Sequence, residues 1–159
     1  MDQVLEARNA LWKSVDGLPD ELLRRQDCNG WSILDVLEHL FLVEQVALRV
    51  IKDALSKPPF TEQIRVNPLE PVLDRADKLD APDPIYPKGL FKNLDEARNQ
   101  LDQSRELLLS FISSVDVDVL RIHGAPHPRY GLLSAEQWAQ FVGVHERRHI
   151  IQIEEMKHV

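Results

Sequence analysis

His145 and His149, four residues apart near the C-terminal end, are the side chains whose type and spacing most directly invite chemistry. At about 100° per residue, positions i and i+4 of a helix lie on one face, one turn apart. That face also carries Trp138, Phe141, Val142, Gln152, Ile153 and Met156, so both imidazoles sit in the stripe a helix turns toward its neighbours. Two rings so placed are either core histidines bonded to backbone or water, or chelators of one ion. Leaving them buried without partners costs about 1–3 kcal/mol each. A third imidazole, His39, falls on the protein-facing side of an earlier helix, near Val43, Val46 and Val50. Three imidazoles from two helices form an open site whose remaining positions are left for water or substrate.

The string from His145 to His149 reads H-E-x-x-H, in which Glu146 would be the general base of a zincin. Against that reading, only ten residues follow His149, and their ligand types Glu154, Glu155 and His158 all lie on the same helix. Glu146 is otherwise an exposed helical residue at the stripe's edge. A di-iron carboxylate bundle needs E-x-x-H on two helices, whereas Glu146…His149 and Glu155…His158 share one. Around the histidines stand further polar groups. Glu44 faces inward among Leu37, Leu40, Ala47 and Ile51, and the sequence pairs it with Arg148 across the two ligand-bearing helices. Asp35, one turn before His39, is either an acceptor for that ring's second nitrogen or a capping carboxylate. Gln152 shares the stripe as a supporting or structural residue. His123, His127 and His158 belong to a loop and a fraying end and are expected in solvent, with His127 able to reach the site's rim.

Composition narrows the chemistry. The chain has 159 residues, 43% of them hydrophobic and 28% charged, the profile of one globular domain covering 1–159. Such a chain buries roughly 70% of its unfolded surface without disulfide staples. Its single cysteine, Cys28, excludes multi-cysteine metal sites and is expected to be a small structural residue, so any metal must be held by imidazole and carboxylate. A net charge of −7 argues against nucleic acid or an anionic membrane as partner. No apolar run approaches the ~20 residues of a membrane span. With Asp2, Glu6 and Arg8 near the start and no apolar h-region, a cytoplasmic location is expected.

The elements that must position the site are helical. The pattern predicts a helix over Asp2 to Val15, a helical turn over Asp20 to Arg25, and a long helix from about Ser32 to Ser56, stopped by Pro58-Pro59. Seven of the ten prolines fall between Lys57 and Lys92, which reads as an ordered crossover with little regular structure. Asn93 with Glu96 opens a helix to about Ser113, and a turn-rich loop runs from His123 to Gly131. Ser134 with Gln137 forms a capping box for a helix to about Lys157. No strand is expected. Four long helices imply an all-α four-helix bundle. The crossover and the His127–Tyr130 loop are the expected pocket walls, with Tyr86, Lys88, Arg129 and Tyr130 as candidate rim groups.

Taken together, Trp31-Ser32, His39-Leu40 and Glu44, H-P-x-Y-G-x-L at His127 to Leu133, Trp138, and H-x-x-R-H-x-x-Q at His145 to Gln152 form a recognisable order. That order resembles the DinB/YfiT-like superfamily over nearly the whole chain, closest to its metal-dependent hydrolase branch. The resemblance implies a homodimeric bundle holding a divalent ion, nickel or zinc in many members, on His39, His145 and His149. It also implies a small-molecule substrate. Some relatives are thiol-dependent isomerases or S-transferases, using mycothiol or bacillithiol held as thiolate on the metal; in others a metal-activated water would be the nucleophile, with Glu146 or solvent taking its proton. A hydrolase is thus the first expectation and a transferase using a low-molecular-weight thiol the second. A non-catalytic metal- or ligand-binding bundle is the third.

Overall fold

In the computed structural model, which describes residues 1–76 and 80–159, four long helices form the bundle: α1 (Asp2–Val15), α3 (Ile33–Ser56), α4 (Leu94–Ser113) and α6 (Ala135–Lys157). Two short helices, α2 (Asp20–Arg24) and α5 (Val117–Ile122), and a two-stranded hairpin, β1 (Gly124–His127) and β2 (Gly131–Ser134), fill the connections.

Three of the four long helices begin at a side-chain cap that the sequence supplies; α1 begins at Met1 without one. Ser32 and Asp35 make a full capping box on α3: the Ser32 hydroxyl accepts from Asp35 N, and the Asp35 carboxylate accepts from Ser32 N at 2.8 Å. Asn93 caps α4 by accepting from Glu96 N at 2.9 Å. At α6 only half of the expected box forms. Ser134 Oγ accepts from Gln137 N, but the Gln137 side chain pairs with the backbone of Asn67, donating to its carbonyl at 2.7 Å and accepting from its N–H at 3.2 Å. Tertiary contact outcompetes the local return bond there.

The hairpin corrects the expectation of a turn-rich loop without strands. Gly124 pairs with Ser134 and His127 with Gly131, in antiparallel register. Its strands are four residues each and one contains Pro126, too short and too broken for a period-two pattern to show. Gly124 is required by closeness, since a Cβ there would run into the Leu133 carbonyl and Ile64 Cδ1. The hairpin feeds directly into α6 and receives the Trp138 indole N–H on Ala125 O at 3.0 Å.

Between α3 and α4, regular structure among the described residues is limited to helical turns at Glu70–Leu73 and Asp83–Ile85. The segment is nonetheless tied down. Phe60 N donates to Ile122 O and Ile64 N to Arg121 O. At its far end, Glu38 of α3, 3% exposed, accepts backbone N–H groups from Lys88, Gly89 and Leu90 at 2.7–3.0 Å. A buried carboxylate thereby fixes the chain that crosses over His39.

The apolar core has two clusters. Leu11, Val15, Ile33, Leu37, Leu101 and Ile153 dominate one; Ala47, Ile51, Leu108, Leu133, Trp138 and Val142 belong to the other. Gly143 allows α1 and α6 to close up, its missing Cβ lying 3.0 Å from Val4 Cα. No helix among the described residues is long and apolar enough to cross a membrane.

Candidate metal centre

Helices α3 and α6 bring three imidazoles together, and one donor nitrogen from each of His39, His145 and His149 falls within a 4.8 Å span. His145 Nε2 lies 3.1 Å from His149 Nε2 and 3.4 Å from His39 Nε2. His39 and His149 are 4% and 7% exposed, so water does not solvate their charged forms well. Burial holds all three rings below the ordinary histidine range. For His145 the neighbouring His149 and His39 press in the same direction, and for His149 His39 does. At neutral pH the cluster is uncharged.

Hydrogen bonds then settle which nitrogens carry protons. His39 Nδ1 lies 2.7 Å from the Ile85 carbonyl, an acceptor only, so it is the N–H and Nε2 keeps a lone pair. His149 Nδ1 likewise meets Gln152 Oε1 at 2.8 Å, while the Gln152 amide N–H is turned to Asp27 Oδ2 at 3.4 Å. Asp27 thus orients the glutamine, and the glutamine selects the tautomer of His149. Two lone pairs fixed in this way converge on the third imidazole with no two protons to share among them. Donors about 2.0–2.1 Å from a tetrahedral ion stand roughly 3.4 Å apart, close to the separations of the two Nε2 pairs. This donor set fits a divalent cation, with each outer nitrogen supported as metal-bound histidines usually are.

Beside the cluster lies a cavity of about 280 Å³. The three histidines line it together with Trp31, Tyr86, Tyr130 and Phe141, and Trp31 packs on His39 with ring centroids 5.2 Å apart. His127 and Tyr130 of the hairpin turn line it too, as expected of a rim. His127 is packed 4.7 Å from Phe141 and its pKa is lowered to about 4, by burial and then by Arg129. Arg129 and Tyr86 line the cavity, whereas Lys88 is held through its backbone on Glu38.

Several expected roles are corrected. Glu146 is neither exposed nor beside the histidines. It is 1% exposed, and its carboxylate bonds Arg8 Nε at 2.7 Å and Arg105 Nη2 at 3.0 Å. One residue along a helix is a rotation of about 100°, which turns Glu146 away from the face His145 uses; a carboxylate bound to two arginines there is not placed to serve as general base at the cavity. Glu44 does not meet Arg148; it pairs with Arg8 at 2.8 Å and Arg105 at 2.8 Å. Arg148 instead donates to the carbonyls of Val72 and Asp74. The wheel placed Glu44 inward correctly but could not choose among arginines from helices of unknown order. Asp35 is a capping carboxylate, and the His39 ring takes Ile85 O instead. His123, expected in solvent, is buried with Nδ1 on Val119 O at 2.8 Å. Cys28 is an exposed free thiol rather than a packed one. Asp27, Glu38 and Arg75 carry no signal in the sequence; each is an ordinary loop or helix residue until its tertiary partner is known, Gln152 for Asp27 and the crossover for Glu38 and Arg75.

Comparison with known proteins agrees with this architecture. The chain is 36% identical over 154 residues to the uncharacterized protein YuaE of Bacillus subtilis (strain 168), covering 96% of this chain and 93% of that one. A crystal structure titled TT2238, a four-helix bundle protein, superposes with a TM-score of 0.67 over 97% of this chain and 94% of that one. At 21% identity that likeness speaks for the fold alone. The sequence pattern of the DinB superfamily matches residues 3–153, and with a bundle of this form the chain belongs to the DinB superfamily.

Proposed function

We propose that the protein is a metal-dependent hydrolase acting on a small molecule, with a nickel or zinc ion held by His39, His145 and His149. The observation that carries the reading is the pair of tautomer-fixed Nε2 lone pairs on His39 and His149, which lie 3.4 Å and 3.1 Å from His145 Nε2 beside a cavity. An ion held there would supply Lewis acidity and the means to activate water as a nucleophile. The chain supplies the rest. Gln152 and Ile85 hold two rings in their tautomers, and Trp31, Tyr86 and Phe141 shape the wall against which a substrate is placed.

Metal analysis of the purified protein tests the site. One divalent ion per chain is expected, lost in His145→Ala; unchanged metal content in the variant overturns it. Assay of the metal-loaded protein against ester and amide panels, beside conjugation of glutathione, bacillithiol or mycothiol, tests the reaction. Cleavage that disappears on metal removal supports a hydrolase, whereas metal-dependent thiol conjugation without cleavage replaces it with a transferase.

A further inference from the structure

The turn that carries Trp31 and the helix that carries His149 meet at one carboxylate. Asp27 lies between α2 and α3, and its Oδ1 accepts the backbone N–H groups of Asn29 at 2.8 Å and Trp31 at 3.1 Å. Its own N–H donates to the Trp31 carbonyl at 2.8 Å, and its carbonyl accepts from Gly30 N at 3.0 Å. Asp27 thus closes the 27–31 turn on itself. That turn presents the Trp31 indole, which packs on His39 and meets Tyr86 edge to face with ring centroids 5.8 Å apart.

The other carboxylate oxygen serves α6. Oδ2 accepts from the Gln152 amide at 3.4 Å, and Gln152 Oε1 stands 2.8 Å from His149 Nδ1. An ionised carboxylate only accepts, so it admits the glutamine in one orientation, NH2 toward Asp27 and oxygen toward the ring. An amide at position 27 dictates the reverse. In Asp27→Asn the two turn N–H groups claim the side-chain oxygen and leave its NH2 facing Gln152. The glutamine amide then turns over and donates to His149 Nδ1. That moves the ring proton to Nε2, the nitrogen 3.1 Å from His145 Nε2.

We infer that Asp27 is a positioning residue that couples the aromatic wall to the histidine cluster: one oxygen sets the turn bearing Trp31, and the other sets the tautomer of His149 through Gln152. A ligand that shifts Trp31 is thereby felt at His149, and an ion on His149 is felt at Trp31, because coupling between two sites is reciprocal. The coupling rests on the metal reading of the cluster and is indifferent to which reaction is catalysed there.

Two measurements on the full chain test this. Nitrogen-15 NMR of the histidine rings in the metal-free protein at neutral pH reads the tautomer directly. Wild type is expected to hold His149 as Nδ1–H, and Asp27→Asn to move it to Nε2–H with little change in Tm. The same tautomer in both overturns the inference. Competition titration with zinc reads the coupling, and Asp27→Asn is expected to weaken zinc binding about 10-fold. Gly30→Ala disturbs the turn from outside the cluster: Gly30 has φ +81° and open space where a Cβ would stand, so the substitution strains the backbone alone. It is expected to weaken zinc binding about 3-fold or more in the wild-type background and to add nothing in Gln152→Leu, where the link is already cut. No loss in the wild-type background overturns the coupling. So do equal losses in both backgrounds, because the strain then reaches the ion through Trp31 on His39. Zinc that fails to bind wild type overturns the metal reading instead, and the NMR comparison still decides the role of Asp27.

Discussion

Helices α3 and α6 each contribute to two polar clusters inside one bundle, and the clusters differ in kind. Glu44 of α3 and Glu146 of α6 meet Arg8 of α1 and Arg105 of α4 in a closed ring of four ion pairs at 2.7–3.0 Å, every member 3% exposed or less. Two carboxylates face two guanidiniums, and spare N–H groups donate to the carbonyls of Leu101 and Val4. Burial alone would favour the neutral form of Arg105, but Glu146 and Glu44 hold its pKa above the usual value. On the neighbouring faces of the same helices, His39, His145 and His149 answer burial by shedding their protons, which leaves lone pairs facing one another beside a cavity. The first cluster is complete within the chain. The second leaves donor nitrogens that a divalent cation could complete, and that difference separates a structural tie from a candidate binding site.

The largest expected effect breaks the first cluster. Arg105→Met leaves Glu44 and Glu146 sharing Arg8 alone, and removing one partner from a buried ion cluster costs about 3–5 kcal/mol. Urea denaturation should show that loss, while the fraction still folded keeps its divalent-ion affinity within about threefold. A cost below about 1 kcal/mol, or loss of metal at undiminished stability, would erase the distinction drawn between the two clusters.

Next in size is the contribution of the ion to stability. With free ion at a hundred times its Kd, binding to the folded state alone adds about 2.7 kcal/mol. Chelation should therefore lower the Tm of the wild-type protein and leave that of His149→Ala where it is. Equal chelator effects on both would remove His149 from the site. Smaller still is Gln152→Leu. It deletes the acceptor that fixes His149 with Nε2 free and is expected to weaken metal binding about 10–100-fold with little change in folding. Unaltered affinity in a competition titration would mean that the tautomer is set by something else.

The comparison also explains what could be read from the chain. The bundle was legible because caps at Ser32, Asn93 and Ser134 and the stop at Pro58-Pro59 are local signals. The histidine trio was legible for a related reason: spacing along one helix fixes a common face, and His39 needed only to point inward. The ion-pair ring was half legible. Glu44 had to have an arginine, but Arg8 and Arg105 arrive from 36 and 61 residues away, and no wheel ranks helices by proximity. Glu146 illustrates the hazard of a short motif: H-E-x-x-H fixed the histidines' common face but gave Glu146 a role that its own position on the helix denies. Glu38 and Arg75 owe their roles to the path of the crossover and Asp27 owes its role to the packing of the α2–α3 loop on α6, neither of which leaves a periodic trace.

The smallest effect concerns acid, and it belongs to the histidine cluster. A histidine held neutral in the fold but free to protonate near pH 6.5 when unfolded makes the unfolded state the greater proton binder below that pH, so stability falls as pH drops. Burial keeps His145 and His149 well below their ordinary range. Each should therefore leave the metal-free protein less stable at pH 6 than at pH 7. His127 acts in the same direction over the window from 6.5 down to about 4, with a smaller share because its ring is only partly buried. Denaturation midpoints of the chelated protein at pH 7 and pH 6 measure the drop, and His145→Ala should lessen it. A pH dependence that ignored His145→Ala would take the titrating groups out of the histidine cluster, which would lose the feature that sets it apart from the ion-pair ring.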